Sequence, residues 1–405
     1  MKKATLLLLC GTLAVCACQK FPVPETPSKD ADLQGMTVDV TGISDAAKKI
    51  FILNEGAMGS NNATLDFLRM SDGTYVTGAF KKMNPDAGAG LGDVGNDIAV
   101  HGDELWIVVN NSGIVEVLSA KDETEIAAIT VPTPRNIAFD DNYAYVTSWA
   151  GAYAAGSYDE NYNFVITDSK NPKGQVHRIN LSTKKVEGSV EVGYQPEGIA
   201  CYDGKLYVAN SGGIASQLPP NYAYDNTVSI IDTKSFKVTR TVEVQVNLKN
   251  VFSDGKGNIY VTTLGNYWDV HSGVYAFPAD NPSAVTRVKG SAVKEEYSYA
   301  GITCQAGDTI YCVGCATEFD WNATHEYYVW SIQGNRVTQY PLTLSGTPYG
   351  ITVIENKSGL HYLLVSDAGD YFNPGTLSCY QLGHNDNARL WSLTAGVCPG
   401  HFAIW

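Results

Sequence analysis

The stretch QPEGIACYDGKLYVANSGG, residues 195 to 213, holds two short apolar runs, EGIAC from Glu197 and KLYVAN from Lys205. Such runs, rich in β-branched and aromatic residues and separated by Asp203-Gly204, read as paired strands joined by a tight turn. The first phrase recurs as NDIAV from Asn96, RNIAF from Arg135, KNVFS from Lys249, AGITC from Ala300, YGITV from Tyr349 and GHFAI from Gly400. The seven central apolar residues are Ile98, Ile137, Ile199, Val251, Ile302, Ile351 and Phe402. Six of the phrases are followed by a second run: LWIVVN from Leu105, AYVTS from Ala144, KLYVAN, NIYVTT from Asn258, TIYCVG from Thr309 and HYLLVS from His361. A third alternating run follows a variable loop, as in IVEVLS from Ile114 or NTVSIID from Asn226. A more polar fourth run closes most units, as in KKVEGSVEV from Lys184. Four strands per unit, repeated with this period, predict an all-β, seven-bladed propeller.

The seventh phrase lies in PGHFAIW, residues 399 to 405, and no second strand follows it. The missing strands stand at the other end of the sequence, as KKIFILN from Lys48, ATLDFLR from Ala63 and TYVTGAF from Thr74. The reading therefore closes the ring by pairing the C-terminal strand with these N-terminal ones, across a propeller spanning residues 48 to 405. Two stacked sandwiches would have to treat the recurrences as coincidence.

Among 405 residues, 39 glycines and 24 tyrosines favour turns and strands, and 28 basic against 42 acidic side chains give a formal charge of -14. That balance excludes nucleic acid as a partner. The opening MKKATLLLLCGTLAVCACQK pairs two lysines with an apolar run too short to span a bilayer, and reads as a signal peptide over residues 1 to 17. Val15-Cys16-Ala17-Cys18 matches a lipoprotein cleavage box with Cys18 as the acylated residue. Pro22, Pro24 and Pro27 then mark a semi-extended tether, with anchor and tether assigned to residues 18 to 47. A lipoprotein held off a membrane by that tether is the expectation.

In a propeller, connectors from strand two to three and from strand four to one share a face, and binding concentrates on such loops. Here they are aromatic. Trp149, Tyr153, Tyr158, Tyr162 and Phe164 fall in one, and Tyr222 with Tyr224, Tyr267 with Trp268, Phe319 with Trp321, and Tyr371 with Phe372 fall in the next four. Asp159, Asp225, Asp269, Asp320, Asp367 and Asp370 share that face. Some of these rings are expected to pack the loops themselves; the rest offer a broad surface for an amphipathic ligand. The channel mouth is assigned to Asn96, Arg135, Glu197, Lys249, Tyr299, Tyr349 and His401, either gripping a ligand or holding water.

Catalytic signals are sparse. The seven histidines show no HExxH or close metal-ligand spacing, and GxSxG is absent. His271, His325 and His401 are the three worth testing as ligand contacts. Cys312 and Cys315 form CVGC at the end of a second strand, outside any thioredoxin-like context, and Cys201, Cys304 and Cys379 read as buried thiols. Calcium held by loop carboxylates stays open, and the sequence assigns no metal ligands. A binding protein rather than an enzyme is expected.

ILNEGAMGSNNATLDFL, residues 52 to 68, with residues 195 to 213 and the other inner-strand phrases, resembles the YncE-like and surface-layer-type seven-bladed propellers. More narrowly, the leader and aromatic-looped propeller are similar to Bacteroidetes surface lipoproteins of the BtuG type, which capture vitamin B12. The resemblance implies an outer-membrane lipoprotein exposed at the cell surface, with cobalamin as a bound ligand and handover to a BtuB-like TonB-dependent transporter. The contacts named for it come from loop position: Trp149, Tyr153, Tyr158, Tyr267, Trp268, Trp321, Tyr371, Phe372, Arg135, Asp159, Glu197, Asp370 and His401. A glycan- or protein-binding propeller and a metal-dependent lactonase or lyase are the alternatives.

Overall fold

The computed structural model describes residues 35 to 405 apart from 89, 151–153, 159–163, 170–171, 214–222, 290–297, 321 and 384–388, with the backbone alone for 154–158 and 164–169. Cys18, Tyr153, Asp159, Tyr162, Trp321 and Tyr222 thus lie outside the described residues, as do the side chains of Tyr158 and Phe164. The chain is a seven-bladed antiparallel β-propeller.

Blade 2 consists of strands Gly95–His101, Glu104–Val109, Ile114–Ser119 and Glu125–Thr130 in that order from the channel outward. Blades 3 to 7 repeat the arrangement, opening on Pro134–Phe139, Pro196–Tyr202, Leu248–Ser253, Ile302–Ala306 and Pro348–Glu355. Second strands are the most buried, because they are covered by a blade on each side: Leu105 to Val109 and Ile310 to Val313 are all at most 1% exposed. Their near-continuous apolar sequence follows from that double cover, whereas fourth strands such as Lys237–Glu243 face solvent and alternate with charge. Adjacent blades lock through apolar side chains; Tyr207, Val228 and Ile230 of blade 4 meet Leu248, Val251, Ile259 and Phe277 of blade 5.

Blade 1 is stitched from both ends of the sequence. Pro399–Ile404 is its innermost strand and pairs with Lys49–Asn54, which is followed outward by Thr64–Arg69 and Thr74–Val76. Closure at this blade leaves neither a free inner edge nor a separable half.

Local departures from the sequence reading have physical causes. TYVTGAF keeps strand geometry only to Val76, because Gly78 turns into left-handed backbone (φ 60) and Ala79–Met83 coils into a short helix. The buried Asp66 carboxylate fixes that turn, accepting from the Gly78 amide and the Tyr75 hydroxyl, each at 2.8 Å. Within the span read as tether, Met36–Thr37 adds a fifth strand to blade 1, and Val40 and Ile43 are buried among side chains of blades 1 and 7. The connector after Trp149 carries a strand pair of its own, Ala154–Tyr158 with Phe164–Ser169. No helix among the described residues is long and apolar enough to cross a membrane. Cys201, Cys304, Cys312, Cys315, Cys379 and Cys398 are all free thiols.

One carboxyl is buried within blade 2. Glu116 is 5% exposed, its Oε2 meets no hydrogen-bond partner among the described residues, and burial together with the nearby Glu125 pushes its pKa up to about 7. A carboxyl whose folded pKa is raised binds its proton more tightly when folded, so its contribution to stability falls as pH rises from about 4.5 through about 7. Glu116→Gln is therefore expected to stabilise the protein by about 1–3 kcal/mol at pH 8 and to change little at pH 4, read from urea unfolding at both values.

Candidate functional site

Each inner strand descends from the mouth of the channel, so the connectors entering it and those joining strands two and three lie on one face. At the entry to five blades a non-glycine residue adopts left-handed backbone: Val94, Thr133, Gln195, Asn247 and Cys398. Such backbone is costly for a residue with a Cβ, and its recurrence marks the equivalent sharp bend by which each chain turns into the channel.

Just below these bends the mouth side chains interlock. Arg135 donates to Glu197 Oε2 through Nε at 3.1 Å and Nη2 at 2.9 Å, and Lys249 Nζ approaches the same oxygen at 3.5 Å. Across the mouth, Tyr349 donates to Glu55 Oε2 at 2.7 Å, and His401 Nε2 lies 2.8 Å from Glu55 Oε1. Burial opposes ionisation of Glu197, but Arg135 and Lys249 outweigh it and hold the carboxyl below its ordinary range. Glu55 is likewise held low against its burial by His401, Tyr349 and the charge of Lys249. The Asn96 amide donates to the Arg135 carbonyl at 2.7 Å and ties blade 2 to blade 3.

Beneath the mouth runs a channel cavity of about 510 Å³, lined by Asn136, Asn250, Thr303, Thr352 and the glycine-rich backbone at Gly198, Gly301, Gly350 and Gly400. Asp97 sits in its wall, accepting from the Ile137 amide at 2.9 Å and Asn136 Nδ2 at 3.2 Å, with burial raising its pKa. The mouth is therefore a lattice of ion pairs and hydrogen bonds above this cavity.

The aromatic connectors sit around it. Trp268 is 74% exposed, held out by a loop in which Asn266 Oδ1 accepts from the amides of Trp268, Asp269 and Val270 at 2.9 to 3.0 Å. Gly265 is required at the base of that loop: its φ is +70, and a Cβ there would meet the Val270 carbonyl at 1.8 Å. Tyr371 and Phe372, 42% and 53% exposed, project from blade 7, and Tyr371 packs edge-on against Tyr349 of the mouth. Tyr267 packs edge-on against Phe319 of blade 6, 6.0 Å between centroids. Both Tyr267 and Tyr371 are in left-handed backbone, at φ 60 and φ 66, so neither ring is placed by regular loop geometry.

Other assigned residues take structural roles. Trp149 is buried, and its ring covers the Arg135 guanidinium at 4.3 Å, stacking on the mouth instead of opening to solvent. Asp370 spends its carboxylate on its own turn, accepting from Phe372 N at 3.0 Å and Asn373 N at 2.8 Å, and these bonds lower its pKa. Asp225 and Asp367 similarly accept from Tyr194 N and Thr347 N. Among the described residues no three His, Cys, Asp or Glu side chains group to hold a metal ion.

The sequence reading missed Glu55, Asp97 and Glu318. Glu318 accepts from Ser272 N at 2.9 Å and Ser272 Oγ at 2.7 Å, and lies 3.0 Å from His271 Nδ1. The only hint was position: Glu55 and Glu318 both stand in connectors assigned to the binding face.

No protein-family model matches the chain. No curated protein matches it either. Among solved structures it is similar to the hydrazine synthase of Kuenenia stuttgartiensis, at 14% identity and a TM-score of 0.55, over 76% of this chain and 88% of that one. It is also similar to a quinonprotein alcohol dehydrogenase-like protein of Bacteroides thetaiotaomicron, at 14% identity and a TM-score of 0.55, over 88% of this chain and 78% of that one. At such identity the likeness is one of fold, and it places the chain among the β-propellers.

Proposed function

We propose that the chain captures a corrinoid on the mouth face and delivers it to a TonB-dependent transporter of the outer membrane, to which Cys18 would anchor it. The observation that carries this reading is the exposure of Trp268, Tyr371 and Phe372 on two blades around a rigid polar mouth. Exposed aromatics of this kind stand ready for apolar contact at low entropic cost, and the prebuilt mouth avoids ordering penalties on binding. A corrinoid, wide, apolar in its ring and fringed with amides, matches that mixture of rings and polar atoms. The likeness to BtuG-type lipoproteins in leader, repeats and loop chemistry supports the same ligand. Aromatic platforms also suit sugars, so a glycan array is the direct control.

Calorimetric titration of the protein with cyanocobalamin is expected to give one site with a Kd below about 1 μM, equivalent to roughly 8 kcal/mol. No heat, with no change in melting temperature, would reject the reading. Trp268→Ala and Tyr371→Ala are each expected to weaken binding by about tenfold or more, the loss typical of a contact residue, while the melting temperature moves little because both rings are exposed.

A further inference from the structure

The imidazole of His271 is built unlike any other on the mouth face. Its ring is stacked between Phe319, at 4.7 Å and 11° between planes, and Tyr299, at 4.8 Å and 26°. Nδ1 lies 3.0 Å from Glu318 Oε1, and Glu318 is itself oriented by the Ser272 amide and hydroxyl. A carboxylate there accepts from Nδ1–H, and in that tautomer of the neutral imidazole Nε2 keeps its lone pair. Nε2 makes no hydrogen bond to a described residue, and the side chain is 33% exposed. With Phe319 and Tyr299 on its faces and Nδ1 turned to Glu318, the ring has Nε2 and the carbons beside it left to carry that exposure.

A carboxylate behind one nitrogen and a vacant lone pair on the other is the arrangement of histidines that ligate metals, because the carboxylate fixes the tautomer and raises the basicity of the free nitrogen. No protein-borne metal group surrounds it among the described residues. A flat macrocycle laid against the open edge of His271 would bring its central metal to Nε2. The geometry points to His271 as an axial ligand to the metal of the captured macrocycle. This rests on the corrinoid reading and assigns a residue within it. The step is a ligand exchange: an Nε2–cobalt bond forms, a cobalt–water bond breaks, water leaves, and neither proton nor electron is transferred.

Aquocobalamin, whose axial water is labile, is the probe, with the visible spectrum as readout. His271→Phe keeps a ring between Phe319 and Tyr299 but has no lone pair, and an unchanged melting temperature shows that it is folded. The native protein is expected to shift the spectrum on binding as water gives way to nitrogen. His271→Phe is expected to bind at least tenfold more weakly and without the shift. Binding of both proteins with the spectrum of free aquocobalamin, or a shift that persists in His271→Phe, would overturn the ligation and leave corrinoid capture standing. If the native protein binds neither aquocobalamin nor cyanocobalamin, the capture reading falls, and this assignment with it.

Discussion

A chain lacking residues 399 to 405 is expected to lose cooperative folding. The missing strand aligns Ile404, Ala403, Phe402, His401 and Pro399 with Ile50, Phe51, Ile52, Leu53 and Asn54. It is also tied at its end by Trp405 N to Lys49 O at 3.0 Å and by Lys49 N to Trp405 O at 3.1 Å. Deletion would expose the inner edge of a strand whose residues Ile50 to Leu53 are wholly buried, and would remove His401, one of the two hydrogen-bond partners of the Glu55 carboxylate. Several backbone hydrogen bonds at about 1 kcal/mol each, together with newly exposed apolar side chains at about 1.5–3 kcal/mol each, sum to the scale of a whole domain's net stability of about 5–15 kcal/mol. Circular dichroism on heating should show no native transition, or one lowered by tens of degrees. A truncated chain melting within a few degrees of the native protein would contradict ring closure. The point variant Ala403→Asp places an unpaired carboxylate in the blade 1 to blade 2 core and should act in the same direction, by several kcal/mol.

Replacing Glu197 by alanine is the second large perturbation. It leaves the Arg135 guanidinium and Lys249 ammonium facing each other in the mouth without their shared carboxylate, and breaking such a buried group typically costs about 3–5 kcal/mol. Arg135→Met with Glu197→Leu removes the guanidinium as well and should recover a good part of that loss, a non-additivity that identifies the pair as the cause. The acid limb gives an independent check. Because the folded carboxyl is held below its ordinary value of 4.5, its stabilisation is fully present above that pH and disappears as pH falls through the folded value. Urea midpoints of the native protein should therefore fall on acidification below 4.5 more steeply than those of Glu197→Gln. Parallel acid limbs would show that Glu197 is not ionised in the native mouth.

The architecture was legible because a propeller repeats a local pattern: a buried inner phrase and a doubly covered second strand leave the same apolar signature in every blade. Pro399–Ile404 carried that signature with nothing after it, which is why ring closure could be read at all. What escaped lacks either repetition or proximity. Met36–Thr37 is too short to show periodicity, and the turn at Gly78 depends on Asp66, a partner from another strand. Glu55 meets His401 across 346 positions and His271 meets Glu318 across 47, so neither pair leaves a local motif. Trp149 and Trp268 look alike as loop aromatics, yet the first is buried with its ring over Arg135 and the second projects into solvent. The aromatic face was thus foreseen as a composition, but the division between rings that pack and rings that project required three dimensions.

Hydrogen exchange with and without cyanocobalamin is the measurement that bears most directly on capture by this face. Slowed exchange is predicted in residues 264–272, 316–320 and 368–373, with the opposite turns at Gly204, Gly255 and Gly334 unchanged. Protection confined to those opposite turns, or none at a saturating ligand concentration, would contradict it.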